Sequence, residues 1–179
     1  MRAKLLVLVL LFTVIGWGQS IFNNPITGTN PNTANPYTAG QVFDGNITVG
    51  GIRRAGLTGT NSNDRYNAQN WSTSSSIDLN KYFEFSLTPV AGYQINFLEL
   101  EYTSQASGTG PNRFAVRSSL DGYDANLGSP TAAGATINLS GAQLQNVTGV
   151  ITFRIYAWNA DASGGTYSIN DFDFKGTVT

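Results

Sequence analysis

VITFRIYAWNADASGGTYSINDFDFKGTV, residues 150–178, reads as two long strands joined by a loop. Successive side chains in a strand alternate faces. Ile151, Phe153 and Ile155 therefore share one face, and Thr152, Arg154, Tyr156 and Trp158 the other. Residues 159–165 are Asn, Ala, Asp, Ser and Gly, which suit a turn. The second strand carries Tyr167 and Ile169, then Phe172, Phe174 and Val178. Its apolar phase slips by one between Ile169 and Phe172. A slip of one moves every later side chain to the opposite face, so a bulge is expected at Asn170–Asp171. We read the unit as a hairpin. It points to an all-β class and names no activity.

The same grammar runs outward from this stretch. YFEFSL (82–87) puts Phe83, Phe85 and Leu87 on one face. QINFLELEYT (94–103) starts with Ile95 and Phe97 on one face and continues with Leu98, Leu100 and Tyr102 on the other. That strand either bulges at Phe97–Leu98 or is central and covered on both sides. RFAVRS (113–118) points Phe114 and Val116 inward and Arg113, Ala115 and Arg117 outward. Asp121-Gly122 is a hairpin signal. NITVGGI (46–52), residues 136–139 and a short strand at Ile21-Phe22 complete about eight strands, with no amphipathic helix. Such a series, punctuated by Gly, Pro and Asn, predicts an antiparallel sandwich or barrel. Residues 53–76 read as a long loop, and long loops are often functional.

Composition narrows the chemistry. The chain has 179 residues, enough for one domain with a real core. It has no Cys and no His, which excludes disulfides, thiolate nucleophiles, histidine metal sites and a Ser–His–Asp triad. Arg2 and Lys4 precede an apolar run at 5–15, and Gly16-Trp17-Gly18 supplies small residues beyond it. Residues 1–18 thus read as a secretory signal cleaved before Gln19. The run is too short for a membrane span, so none is expected after cleavage. Without Arg2 and Lys4, 8 basic and 11 acidic residues remain, a charge that does not suit a nucleic-acid binder. The expected product is a secreted or cell-surface domain over 19–179. Its 19–41 segment, rich in Asn, Thr, Pro and Gly, would wrap along the domain edge.

From Tyr82 onward the chain resembles secreted bacterial β-sandwich modules of the galactose-binding-like, jelly-roll kind. VRSSLDGYDANLG (116–128), FRIYAW (153–158) and YSINDFDFKG (167–176) carry the resemblance. With the leader and NDRYNAQNW (63–71), they are similar to modules of surface-sorted proteins that bear C-terminal sorting domains. The resemblance implies an antiparallel jelly-roll-type β-sandwich, and often a structural calcium between the first and last strands.

Three constellations could carry chemistry. Arg154, Tyr156 and Trp158 share a face at about 6.5–7 Å steps. Aromatic rings beside Arg and amides suit a sugar, whose ring face stacks and whose hydroxyls hydrogen-bond. The alternative is that this face is covered. Tyr66 and Trp71, in the long loop, are read as better exposed ligand-binding candidates, unless they plug one end of the sandwich. Asp171 and Asp173, with Asp44 and backbone carbonyls, could form an oxygen-only Ca2+ site, or be solvated edge carboxylates. Glu99 and Glu101 could suit a glycosidase pair, but LELEY lacks the longer acidic motif of sandwich glycosidases. The reading is therefore a non-catalytic extracellular binding or adhesion module whose partner is a glycan or a matrix or surface protein. A purely structural surface module is the alternative.

Overall fold

The computed structural model describes residues 18–179; the expected signal, apart from Gly18, lies outside them. Eleven strands form two antiparallel sheets facing each other as a β-sandwich. They are β1 (Gln19–Asn24), β2 (Val42–Phe43), β3 (Ile47–Ala55), β4 (Thr58–Gly59), β5 (Tyr66–Gln69), β6 (Tyr82–Pro89), β7 (Ile95–Ala106), β8 (Arg113–Ser118), β9 (Gly134–Asn138), β10 (Ile151–Trp158) and β11 (Tyr167–Val178). The smaller sheet runs β3-β6-β10-β8. The larger is built on β11, which pairs with β7 along its whole length. On its other side β11 takes two partners end to end. Residues 167–169 pair with β5, and 172–176 pair with β1.

The switch of partner falls at the phase slip seen in the sequence. The β7–β11 register shifts between Ile169 and Asp171, so Asn170 is the extra residue of the expected bulge. Tyr167 and Ile169 before it, and Phe172 and Phe174 after it, all lie in the core. The second slip, in β7, resolves the same way. Lys175 pairs with Glu99 and Gly176 with Phe97, leaving Leu98 out of register and exposed. β7 is also central, between β11 and β9.

Strand pairing departs from the hairpin readings. β10 lies in the smaller sheet and β11 in the larger. The intervening loop crosses the end of the sandwich, and the strands face each other, with the Phe153 and Phe174 rings 5.2 Å apart. Each strand has an apolar row to bury, and facing rows bury each other, which side-by-side rows do not. Asp121-Gly122 likewise joins no hairpin. It closes a one-turn 3-10 helix (Ser119–Asp121), with Gly122 in the left-handed region at φ 72, and the chain then crosses from β8 to β9 in the other sheet. After β5 every strand lies in the opposite sheet to the one before it.

The long loop at 53–76 contains β4 and β5, which pair with each other. This corrects the expected exposure of Tyr66 and Trp71: both are fully buried. Pairing with β11 turns Tyr66 inward beneath the Arg54 guanidinium, 4.8 Å from the ring centroid. Asn70, at φ 72, then swings Trp71 edge-on to Phe83 and Tyr167, at 5.1 and 5.7 Å. They plug the core. In the 19–41 segment, Ile21, Phe22, Ile26 and Tyr37 are buried, and Tyr37 exchanges backbone hydrogen bonds with Ile52. Among the described residues no helix is long and apolar enough to cross a membrane.

Burial pushes the Tyr66 phenol up to about 12, against an opposing pull from Arg54, and burial also pushes Tyr167 up to about 12. Unfolded tyrosines ionise at the ordinary 10.0. The stability held by these two neutral phenols is complete below pH 10 and is lost as the pH rises through about 12. Thermal melts should show Tm falling steeply across that window. A Tyr66→Phe, Tyr167→Phe double variant should fall less; an equal fall would show that these phenols do not drive the alkaline transition.

Candidate functional site

The outer face of the smaller sheet carries a second, polar and aromatic layer. Alternation places Thr152, Arg154, Tyr156 and Trp158 of β10 there. Strand register sets Arg53 and Arg154 on either side of Glu84. Glu84 Oε1 accepts from Arg53 Nε and Oε2 from Arg154 Nε, each at 2.7 Å. The Arg154 guanidinium is held between the Tyr82 ring, at 4.0 Å, and the Tyr123 ring, at 3.7 Å. Tyr123 is tied down by a hydroxyl–hydroxyl hydrogen bond to Thr152, and its carbonyl accepts from Arg117 Nη1 at 2.8 Å. Tyr156 is buried with Tyr82 and Ala115, under Ile77 of the 70–81 connection. Burial raises the pKa of its phenol.

The expected Arg154–Tyr156–Trp158 array is therefore assembled on one face, and the chain itself covers most of it. Arg154 is committed to Glu84 and two rings, and Tyr156 is covered, its ring edge-on to Tyr82 at 5.6 Å and its hydroxyl buried without a hydrogen-bond partner. Trp158 is only half-covered: its Nε1 donates to the Ser75 carbonyl at 3.2 Å, and it lines a cleft of about 600 Å³.

That cleft lies between the β7–β8 loop and residues 130–132, with Trp158, Arg113, Asn112, Phe114, Pro130 and Asp161 among its walls. Arg113 opens β8 directly opposite Trp158 in register, on the same outer face. Asn112 donates its backbone N–H to the Trp158 carbonyl, and its side-chain oxygen accepts from Asn159 Nδ2 at 2.8 Å. The arch after β10 brings in Asp161, whose backbone N–H is bonded to the Thr109 carbonyl at 3.1 Å. Here two loops cross at close range. A Cβ on Gly165 would stand 2.1 Å from the Thr109 carbonyl oxygen, and one on Gly110 2.3 Å from that of Thr166. Only glycine fits at either crossing. Arg113, Asn112 and Asp161 were not singled out from sequence as site residues. Arg113 was read as outward-facing, but its pairing with Trp158 is a long-range register that no local pattern displays.

The acidic candidates sit elsewhere. Asp44 Oδ1 accepts the Asn46 N–H at 2.8 Å. Asp171 accepts from the backbone N–H of Thr103 at 3.3 Å and from its hydroxyl. Asp173 pairs across β11 with Asn23 and Glu101. Among the described residues no group of three or more acidic side chains is arranged to hold a metal ion. Glu99 and Glu101 share Lys175, whose Nζ donates to Glu99 Oε1 at 3.0 Å and Glu101 Oε2 at 2.6 Å. Those two hydrogen bonds, that to Glu101 first, raise the lysine pKa.

No known protein-family model matches the chain, and no curated protein matches it.

Glu84→Gln removes a buried counter-charge between two arginines, one of them largely covered. Breaking such a pair should cost about 2 kcal/mol or more in urea unfolding. The more exposed Glu99→Gln, which leaves Glu101 on Lys175, should cost under about 1 kcal/mol. Equal losses would mean that the Glu84 row is no more than surface charge.

Proposed function

We propose that the chain is a non-catalytic extracellular binding or adhesion module that holds a glycan in the cleft at Trp158. One observation carries the reading: a half-exposed indole in a cleft, flanked by a guanidinium, an amide and a carboxylate. A sugar ring needs an apolar plate for its C–H face and a few fixed polar groups for its hydroxyls. The resemblance to galactose-binding-like surface modules and the leader at 1–18 agree with this placement outside the cell. The second reading is a structural spacer in a surface assembly. It is favoured by how completely Tyr66, Trp71, Tyr156 and Arg154 are used inside the fold.

Two measurements test the proposal. In the 19–179 domain, which lacks Trp17, Trp71 is buried and gives a constant fluorescence background, so a change on titration with a polysaccharide reports Trp158. At least one member of a broad glycan panel should change it, and Trp158→Ala, with its Tm checked, should lose that binding. No response across the panel would leave the spacer reading. Mass spectrometry of the secreted or surface fraction should find an N-terminus at Gln19; an intact Met1 in cytosolic material would overturn the placement.

A further inference from the structure

Residues 19–179 carry eight basic side chains, and seven are engaged. Arg53 and Arg154 share Glu84. Arg54 donates to Asn32, Arg65 to Asn63, Lys81 to Asn70, and Arg117 to Tyr123 and Asn126. Lys175 bridges Glu99 and Glu101. Among the described residues, Arg113 alone has no hydrogen-bond or ion-pair partner. It is exposed, and it stands in the cleft beside Trp158.

A guanidinium presents a rigid fork of donors that matches a carboxylate bidentately. The sugar ring that covers Trp158 would set its ring substituent against the neighbouring strand, where Arg113 waits. The other charged wall residue, Asp161, also lacks a side-chain partner. It can only accept, so it suits hydroxyl donors and opposes a second carboxylate near it. Resting on the glycan-module reading above, we infer that the cleft takes an acidic polysaccharide of uronic acid units. One ring stacks on Trp158 with its carboxylate on Arg113 and its hydroxyls toward Asp161.

The test uses polygalacturonate and alginate, each beside its ester, so that the polymer stays the same and the charge is removed. Isothermal titration at low salt should give binding to at least one free acid about ten-fold tighter than to its ester, a preference worth about 1.4 kcal/mol. Added salt should shrink the preference. Arg113→Gln should abolish it, so that acid and ester bind that variant equally, while Arg113→Lys should keep part of it. Equal binding of acid and ester, or a preference that survives Arg113→Gln, overturns the inference. Binding of neutral glycans alone, lost in Trp158→Ala, overturns it but leaves the module reading standing. Failure of every glycan removes both.

Discussion

The larger sheet depends on one extra residue. β11 must present apolar side chains to the core from Tyr167 to Val178, yet its sequence changes phase halfway. The bulge at Asn170 absorbs the change, so Ile169 and Phe172 both face inward although they are three positions apart. Without it, either Tyr167 and Ile169 or Phe172 and Phe174 would turn to solvent. The same residue marks where β11 exchanges β5 for β1 as its neighbour. Its partner β7 has a bulge of its own at Leu98, lower along the same ladder. The core aromatics then close on one another: Phe85 on Phe172 at 4.6 Å, Phe97 on Phe153 at 5.2 Å, Phe22 on Phe172 at 4.9 Å.

The outer face of the smaller sheet shows how a chain poor in charge spends what it has. Glu84 takes two arginines, Tyr82 and Tyr123 clasp one of them, and Tyr123 is in turn held by Thr152 and Arg117. Stacking of a guanidinium on rings is worth about 0.5–2 kcal/mol per contact, more as water is excluded. The layer acts as a small second core, and it fixes β10 and β8 against each other. The cleft lies where this layer runs out, at the far end of both strands. Trp158 is the first ring of the row that the covering connection leaves partly open.

What was legible in the sequence is local. Period-two alternation assigned the faces of 82–87, 113–118 and 151–158 correctly, and both phase slips announced their bulges. The leader rests on residues the structure does not describe. Partners across sheets were not legible, because a strand, a polar turn and a strand look alike whether the turn doubles back within a sheet or arches to the other one. For Tyr66 and Trp71 the sequence left exposure and plugging open, and burial decides for plugging, for a related reason. β5 is only four residues long, and nothing near it says that β11 lies alongside. The neighbourhood of Trp158 is assembled from β8, the arch after β10 and the turn after β7, so no single stretch of sequence contains it.

The alternation of sheets from β5 onward sets the order in which this molecule can form. No strand in that series bonds to its neighbour in sequence, so no local hairpin is there to nucleate it. Loop-closure entropy must be met before any ladder returns energy, and such topologies fold in milliseconds to seconds rather than microseconds. The central strand of the larger sheet is also the last one made. Until β11 appears, β1 has only the two residues of β2 to pair with, β5 only those of β4, and β7 only β9. The larger sheet therefore cannot close before residues 167–178 are in place, whereas the smaller sheet, β3-β6-β10-β8, needs nothing from β11.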